Sequence, residues 1–351
     1  MKGLLVASAL LVTTLECAVP SSRLERRDHP TGLDPRPSGT LVDIGGQRLH
    51  MYCAGHGSPT VLLEAGAGEF SVIWSLVQPN VARFTSVCSY DRGGYAWSDP
   101  GTRPRTYWQL ALELRTAARR LGLTPPYVLV GQSYGGLVVR GFAEHYRSDV
   151  AGMVLVDAVH EDERVVVDGQ PMRIRDGSRR RKYPRPRIAL DVGLLRTLHD
   201  SAWRPNDQPL DPELALLPQE AQRVWKWAAA SPVYQAERRA EMDWSPEELT
   251  RLHQQRIANR ASLGDLPLLV LARSEGGYPD GMQISADSLD RERVALQLDL
   301  ARLSSQGRLI VAGHAGRDIQ LDEPSLVVRS IHDIVDRARA RGRVPAAPAT
   351  E

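Results

Sequence analysis

The chain has 351 residues, 42% of them hydrophobic and 25% charged, which suits one large globular domain with an insertion. Its 44 Lys+Arg against 42 Asp+Glu leave a formal net charge of +2, so no global field draws it to nucleic acid or to a membrane surface. The same figures exclude a collagen, a coiled coil, an acidic tail and a long disordered chain.

Residues 1–18 read as a cleaved signal peptide. Met1-Lys2 gives a short positive start, residues 3–15 are largely apolar, and small residues lead to Ala18. The run is too short to span a bilayer comfortably, which points to a secreted or periplasmic protein without stable membrane insertion. Residues 19–39, rich in Pro, Arg and Asp, read as a linker. If Cys17 leaves with the signal, Cys53 and Cys88 remain. Two cysteines exclude a cysteine-rich scaffold and a four-cysteine zinc site. One disulfide is permitted in an oxidising compartment, and two buried thiols fit equally well.

Short β-type runs follow at 40–44, 48–53, 60–64 and 85–90. Residues 107–121 carry apolar side chains at helical spacing, with Gly122 beyond them as a stop. Residues 127–130 form an apolar strand, followed by a glycine-punctuated turn and an apolar helix from about Leu137. Further strands are expected at 153–156, 266–271 and 308–312, and a closing helix at 325–340. Strands alternating with helices predict a mostly parallel sheet with helices on both faces. Within residues 161–265 the strand rhythm stops, and pieces at 216–230 and 247–260 look helical, as in a helical cap inserted into a core of residues 40–160 and 266–341. Residues 173–187 hold eight cations against the single Asp176, read as a solvated cap loop, and residues 342–351 as a disordered tail.

The strongest chemical signal is Gly131-Gln132-Ser133-Tyr134-Gly135-Gly136, directly after the strand at 127–130. A serine between a strand and a helix sits on a very tight turn that projects its hydroxyl, and the flanking glycines leave room where a Cβ would clash. The helix start adds free backbone amides and a positive dipole end, suited to an oxyanion.

Here the sequence resembles the α/β-hydrolase fold family, in particular its serine esterase-like members, from about residue 39 to the C-terminal helix. The resemblance rests on Leu63-Glu64-Ala65-Gly66-Ala67-Gly68 with Trp74, on residues 90–98 (Tyr-Asp-Arg-Gly-Gly-Tyr-Ala-Trp-Ser), on 127–136, on 150–157 with His160-Glu161-Asp162, and on 319–324. It implies an eight-stranded, mostly parallel α/β sheet, Ser133 as nucleophile, and no metal or organic cofactor. An aspartate nucleophile would mark a haloalkane dehalogenase or epoxide hydrolase; Ser133 disfavours both. The oxyanion donors implied are the backbone amides of Ala67 and Tyr134, while Asp91 and Arg92 read as an internal ion pair.

For the acid, Asp157 lies at the end of a strand where some relatives carry it, and Glu275 and Asp280 in the next strand-end loop are the alternatives. The histidine is where the chain departs from the family. Relatives carry Gly-His at the position of Gly316-Arg317, and arginine cannot accept the serine proton. His314, three residues upstream, is the expected base, with His160 as second candidate. Two functions follow: a serine hydrolase cleaving a small apolar carboxylic ester through an acyl-enzyme, or a catalytically impaired member that binds a small apolar ligand beneath the cap. Trp203, Trp225, Trp227 and Trp244 would line an acyl pocket or pack cap on core. Oligomeric state is not legible.

Overall fold

The computed structural model describes residues 35–167, 170–176, 210, 212–258, 262–274, 276 and 284–342. The expected signal peptide, most of the linker, Trp203, Glu275, Asp280, most of the arginine-rich stretch and the tail beyond Gly342 lie outside these residues. In chain order the elements are β1 Thr40–Asp43, β2 Arg48–Ala54, β3 Val61–Glu64, α1 Gln78–Val81, β4 Val87–Tyr90, α2 Tyr107–Arg120, β5 Tyr127–Gln132, α3 Gly135–His145 and β6 Val150–Val156. Then come β7 Arg164–Val167, β8 Gln170–Arg173, α4 Gln219–Ala229, α5 Pro232–Ile257, β9 Leu268–Ala272, α6 Ala286–Ala301, β10 Gly307–Val311, α7 Ile319–Asp322 and α8 Pro324–Ala340.

Eight strands form one sheet in the order β1-β2-β4-β3-β5-β6-β9-β10. β2 pairs antiparallel with β1 and β4, and every other pair is parallel. The central strands are apolar on both sides because both faces are covered. Side-chain alternation divides them cleanly. Val61, Leu63, Val128, Val130, Val154 and Val156 face a core closed by α8 (Val327, Ile331, Ile334). Leu62, Leu129, Met153 and Leu155 face the opposite core, closed by α2 and α3 (Leu110, Leu114, Leu137, Phe142).

Two elements correct the sequence reading. The strand rhythm does not stop at residue 161, since β7 and β8 pair as an antiparallel hairpin; the β-branched run Val165-Val-Val167 followed by the turn dipeptide Asp168-Gly169 was its signal. Helix α6 was missed because its buried stripe is Leu289, Arg293, Gln297 and Leu300, whose two polar members erase the apolar period. Helix α5 also starts earlier than expected and runs through Pro246.

Cys53 on β2 lies directly opposite Cys88 on β4, and the two form a disulfide with Cα atoms 4.1 Å apart. Mass spectrometry of the unreduced protein after alkylation should find neither cysteine alkylated. A cross-link spanning 35 residues should contribute about 3–4 kcal/mol on the chain-entropy account, so reductant should lower the melting temperature.

Candidate active site

Ser133 follows β5 and precedes α3. Its φ is 49°, in the left-handed region that non-glycine residues rarely adopt, and its amide donates to the Val156 carbonyl at 3.0 Å while its carbonyl accepts from Gly136 and Val159. The glycines around it are sterically required. A Cβ on Gly131 would lie 2.6 Å from the Gly135 oxygen, and one on Gly135 would lie 2.5 Å from the Ala65 oxygen. The second contact shows the start of α3 pressed against the loop after β3, Gly66-Ala67-Gly68-Glu69. That loop closes on itself: the Gly66 amide donates to Glu69 Oε2 at 3.1 Å, and the Glu69 amide donates to the Gly66 oxygen at 3.0 Å. Among the described residues, neither the Ala67 nor the Tyr134 amide donates a hydrogen bond.

The acid and base expected from the sequence are not brought together. Asp157 sits at the end of β6, fully buried, with φ 42°. Its carboxylate is held by the fork of Arg293, whose Nε and Nη2 donate at 2.9 and 2.6 Å, with Arg273 Nη1 3.6 Å away. In this structure the carboxylate thus meets an arginine where a histidine was expected: a guanidinium matches both carboxylate oxygens at once, and α6 presents one at the strand end. His314 is exposed, and its amide rather than its ring is engaged, donating to Glu323 Oε1 at 2.7 Å. His160 is fully buried; its Nδ1 accepts from the Asp162 amide at 2.9 Å and its Nε2 lies 3.2 Å from Asp299. Burial lowers its pKa to about 4, so it is a neutral histidine built into the fold.

Arg317 projects from the loop after β10, half-exposed, with Nη2 3.8 Å from Glu69 Oε1. Its neighbour Asp318 is buried and accepts from the side-chain amides of Gln132 at 2.9 Å and Gln320 at 3.1 Å. Burial, reinforced by the Asp318 charge, raises Glu69 to about 8, so that side chain is protonated at neutral pH. Among the described residues no group of three or more His, Cys, Asp or Glu side chains is placed to hold a metal ion. No described helix is long and apolar enough to cross a membrane.

A family model described as alpha/beta hydrolase fold matches residues 59–324. The chain belongs to this family. Among relatives of this α/β hydrolase, "Uncharacterized protein YqjL" of Bacillus subtilis is 22% identical over 83% of this chain and 89% of its own length. "Probable transporter efuK" of Hormonema carpetanum is 33% identical over 34% of this chain, and the match spans only 18% of that protein. A solved thermophilic esterase from Thermogutta terrifontis superposes with a TM-score of 0.56 at 20% identity, covering 85% of this chain and 97% of its own, a likeness of fold.

What anchors α4 and α5 to the hydrolase core is charge as well as apolar packing. Trp225 stacks on Phe70 at 4.9 Å, and Trp227 lies 5.6 Å from Trp97. Below them, Arg92 bonds Glu64 at 2.7 Å and Glu241 of α5 at 2.9 Å, while Arg105 bonds Glu113 at 3.0 Å and approaches Glu237 and Glu241 at 3.5 Å. All six are buried. Asp91 instead meets His50 Nδ1 at 2.8 Å and accepts from the Ser71 amide, so Asp91 and Arg92 are each engaged elsewhere and do not pair with one another. Sequence reasoning passed over Glu237 and Glu241 because carboxylates on a helix ordinarily read as its wet face.

Proposed function

We propose that this α/β hydrolase cleaves carboxylic esters through an acyl-enzyme on Ser133, with the Ala67 and Tyr134 amides receiving the oxyanion. The observation that carries this reading is the strained backbone of Ser133 in a turn whose glycines admit no Cβ, because a protein that only binds has no use for such a turn. The described residues offer Ser133 no histidine partner, so turnover is slow and His314 acts only if its loop refolds toward the serine. The substrate in this reading is a small apolar ester, with no cofactor required. We also propose export: the apolar N-terminal run suits a signal peptide, and the Cys53–Cys88 bridge suits an oxidising compartment.

A second reading, a catalytically impaired ligand-binding member, is favoured by Arg317 at the base position and by the engagement of Asp157 with Arg293. Labelling with a fluorophosphonate separates the two. The wild type should label and Ser133→Ala should not. An unlabelled wild type supports the binding protein, and labelling that persists in the variant removes Ser133 from the mechanism.

A further inference from the structure

An oxyanion hole needs its donors fixed before substrate arrives, since the stabilisation comes from dipoles that do not reorganise. The Tyr134 amide is fixed by α3. The Ala67 amide belongs to a loop containing Gly66 and Gly68, the most permissive residues available; the Gly66–Glu69 hydrogen bonds close that loop from within, and contacts from outside it add a second hold.

The Gly66 carbonyl and the Ala67 N–H belong to one peptide group, which is planar and trans, so they point in opposite directions. Arg92 Nη2 donates to the Gly66 oxygen at 2.5 Å, and Arg92 Nη1 donates to the neighbouring Ala65 oxygen at 2.9 Å. With that oxygen pinned inward, the Ala67 N–H is turned away from Arg92. The guanidinium is in turn clamped by Glu64 from β3 and by both oxygens of Glu241 from α5, at 2.9 and 3.2 Å. Tyr95 adds its hydroxyl to Glu241 at 2.8 Å.

Helix α5 reaches the loop a second time. Tyr234, seven residues and so two turns before Glu241, donates its hydroxyl to the Gly68 oxygen at 2.6 Å. Burial keeps that phenol protonated, with its pKa raised to about 12. Gly68 has φ +76°, in the left-handed region, and the Arg238 side chain of the same helix lies 3.0 Å from where a Cβ would be. The carbonyls on either side of Ala67 are thus both fixed by one face of α5, one directly and one through Arg92.

We propose that Arg92, Glu241 and Tyr234 are positioning residues for the oxyanion hole: helix α5 holds the Gly66-Ala67-Gly68 backbone by its carbonyls so that the Ala67 amide faces the Ser133 side. This deepens the proposed hydrolase reading. It also assigns the buried charges beneath α5 a role beyond cohesion, tying the α4–α5 segment to transition-state stabilisation.

The test uses Tyr234→Phe and Arg92→Lys in the full-length protein, with an aryl ester and an aryl trifluoromethyl ketone, whose hemiketal oxygen would occupy the hole. Lysine keeps a charge beside Glu64 and Glu241 but cannot reach them and two carbonyls together. Loss of one oxyanion donor typically costs about 10²- to 10³-fold in kcat. Arg92→Lys should fall in that range and Tyr234→Phe about tenfold, with KM changed less than threefold and ketone affinity weakened in parallel with kcat. A merely structural role would lower the melting temperature without this parallel. Tyr234→Phe removes one oxygen and keeps the ring between Phe70 and Tyr95, so it serves if Arg92→Lys does not fold. Crystal structures of the variants read the peptide directly. A Gly66–Ala67 peptide rotated from its wild-type orientation supports the proposal, and an unmoved one overturns it. That arm stands whether or not the wild type hydrolyses esters; an inactive, unlabelled wild type removes the hydrolase reading alone.

Discussion

Asp157→Ala should destabilise the protein by about 3–5 kcal/mol, the range for removing one partner of a buried ion pair and leaving the other charge uncompensated. The carboxylate is fully buried and takes two bonds from the Arg293 fork, with Arg273 alongside. Arg293 is itself buried and keeps Glu163 as its charged partner, with the backbone carbonyl of residue 157, when the Asp157 carboxylate is gone. At 2–4 °C per kcal/mol for a domain of this size, thermal unfolding should shift down by roughly 10 °C. Asp157→Asn separates structure from chemistry. Asparagine tolerates the positive φ and keeps one acceptor, so it isolates the charge. If the carboxylate only neutralises the arginines, Asn should lose stability while ester turnover per folded molecule holds within about threefold. If it instead orients a histidine during catalysis, turnover should fall about 10⁴-fold, as when the acid of a triad is made an amide.

The contrast between fold and site in what the sequence discloses has a physical basis. The sheet was legible because buried parallel strands must be apolar on both faces, so runs such as Leu62-Leu63 and 127–130 stand out, and observed boundaries differ from the expected ones by only a few residues. The Ser133 turn was legible because its geometry tolerates only glycine at fixed offsets from Ser133. The rest of the site depends on contacts distant in sequence. Arg92 meets Glu241 across 149 residues and Asp157 meets Arg293 across 136. No local period records such pairs, and polar residues at buried helix positions, as in α5 and α6, imitate a solvent-facing surface. Asp157 shows the limit: a carboxylate at a strand end suits a catalytic and a structural role alike, and only its partner, distant in sequence, bears on which it plays.

Arg317→His should raise ester hydrolysis by about 10²-fold. General-base assistance is typically worth about 10²- to 10⁴-fold, and the arginine now at this position cannot accept a proton. The lower figure is expected because a base also needs an orienting acid, and the Asp157 carboxylate is already committed to Arg293. The substitution is sterically mild, since the Arg317 side chain is half-exposed and its nearest carboxylate, Glu69, is 3.8 Å away. Stability should therefore change by no more than about 1 kcal/mol, since this long contact is to a carboxyl that is protonated at neutral pH and the Arg317 side chain is otherwise at the surface. The companion variant His314→Ala identifies the base used by the native chain. If the loop refolds to bring His314 to Ser133, His314→Ala should abolish turnover and Arg317→His should add little. If the site lacks a base, His314→Ala should be silent and Arg317→His should give the full gain, read as initial rates with an aryl ester between pH 7 and 8. A vigorous wild type indifferent to both changes would show that neither residue handles the serine proton. His160 could not then serve without breaking its bonds to the Asp162 amide and Asp299, so the proton acceptor would have to be a water or a carboxylate on the Ser133 side.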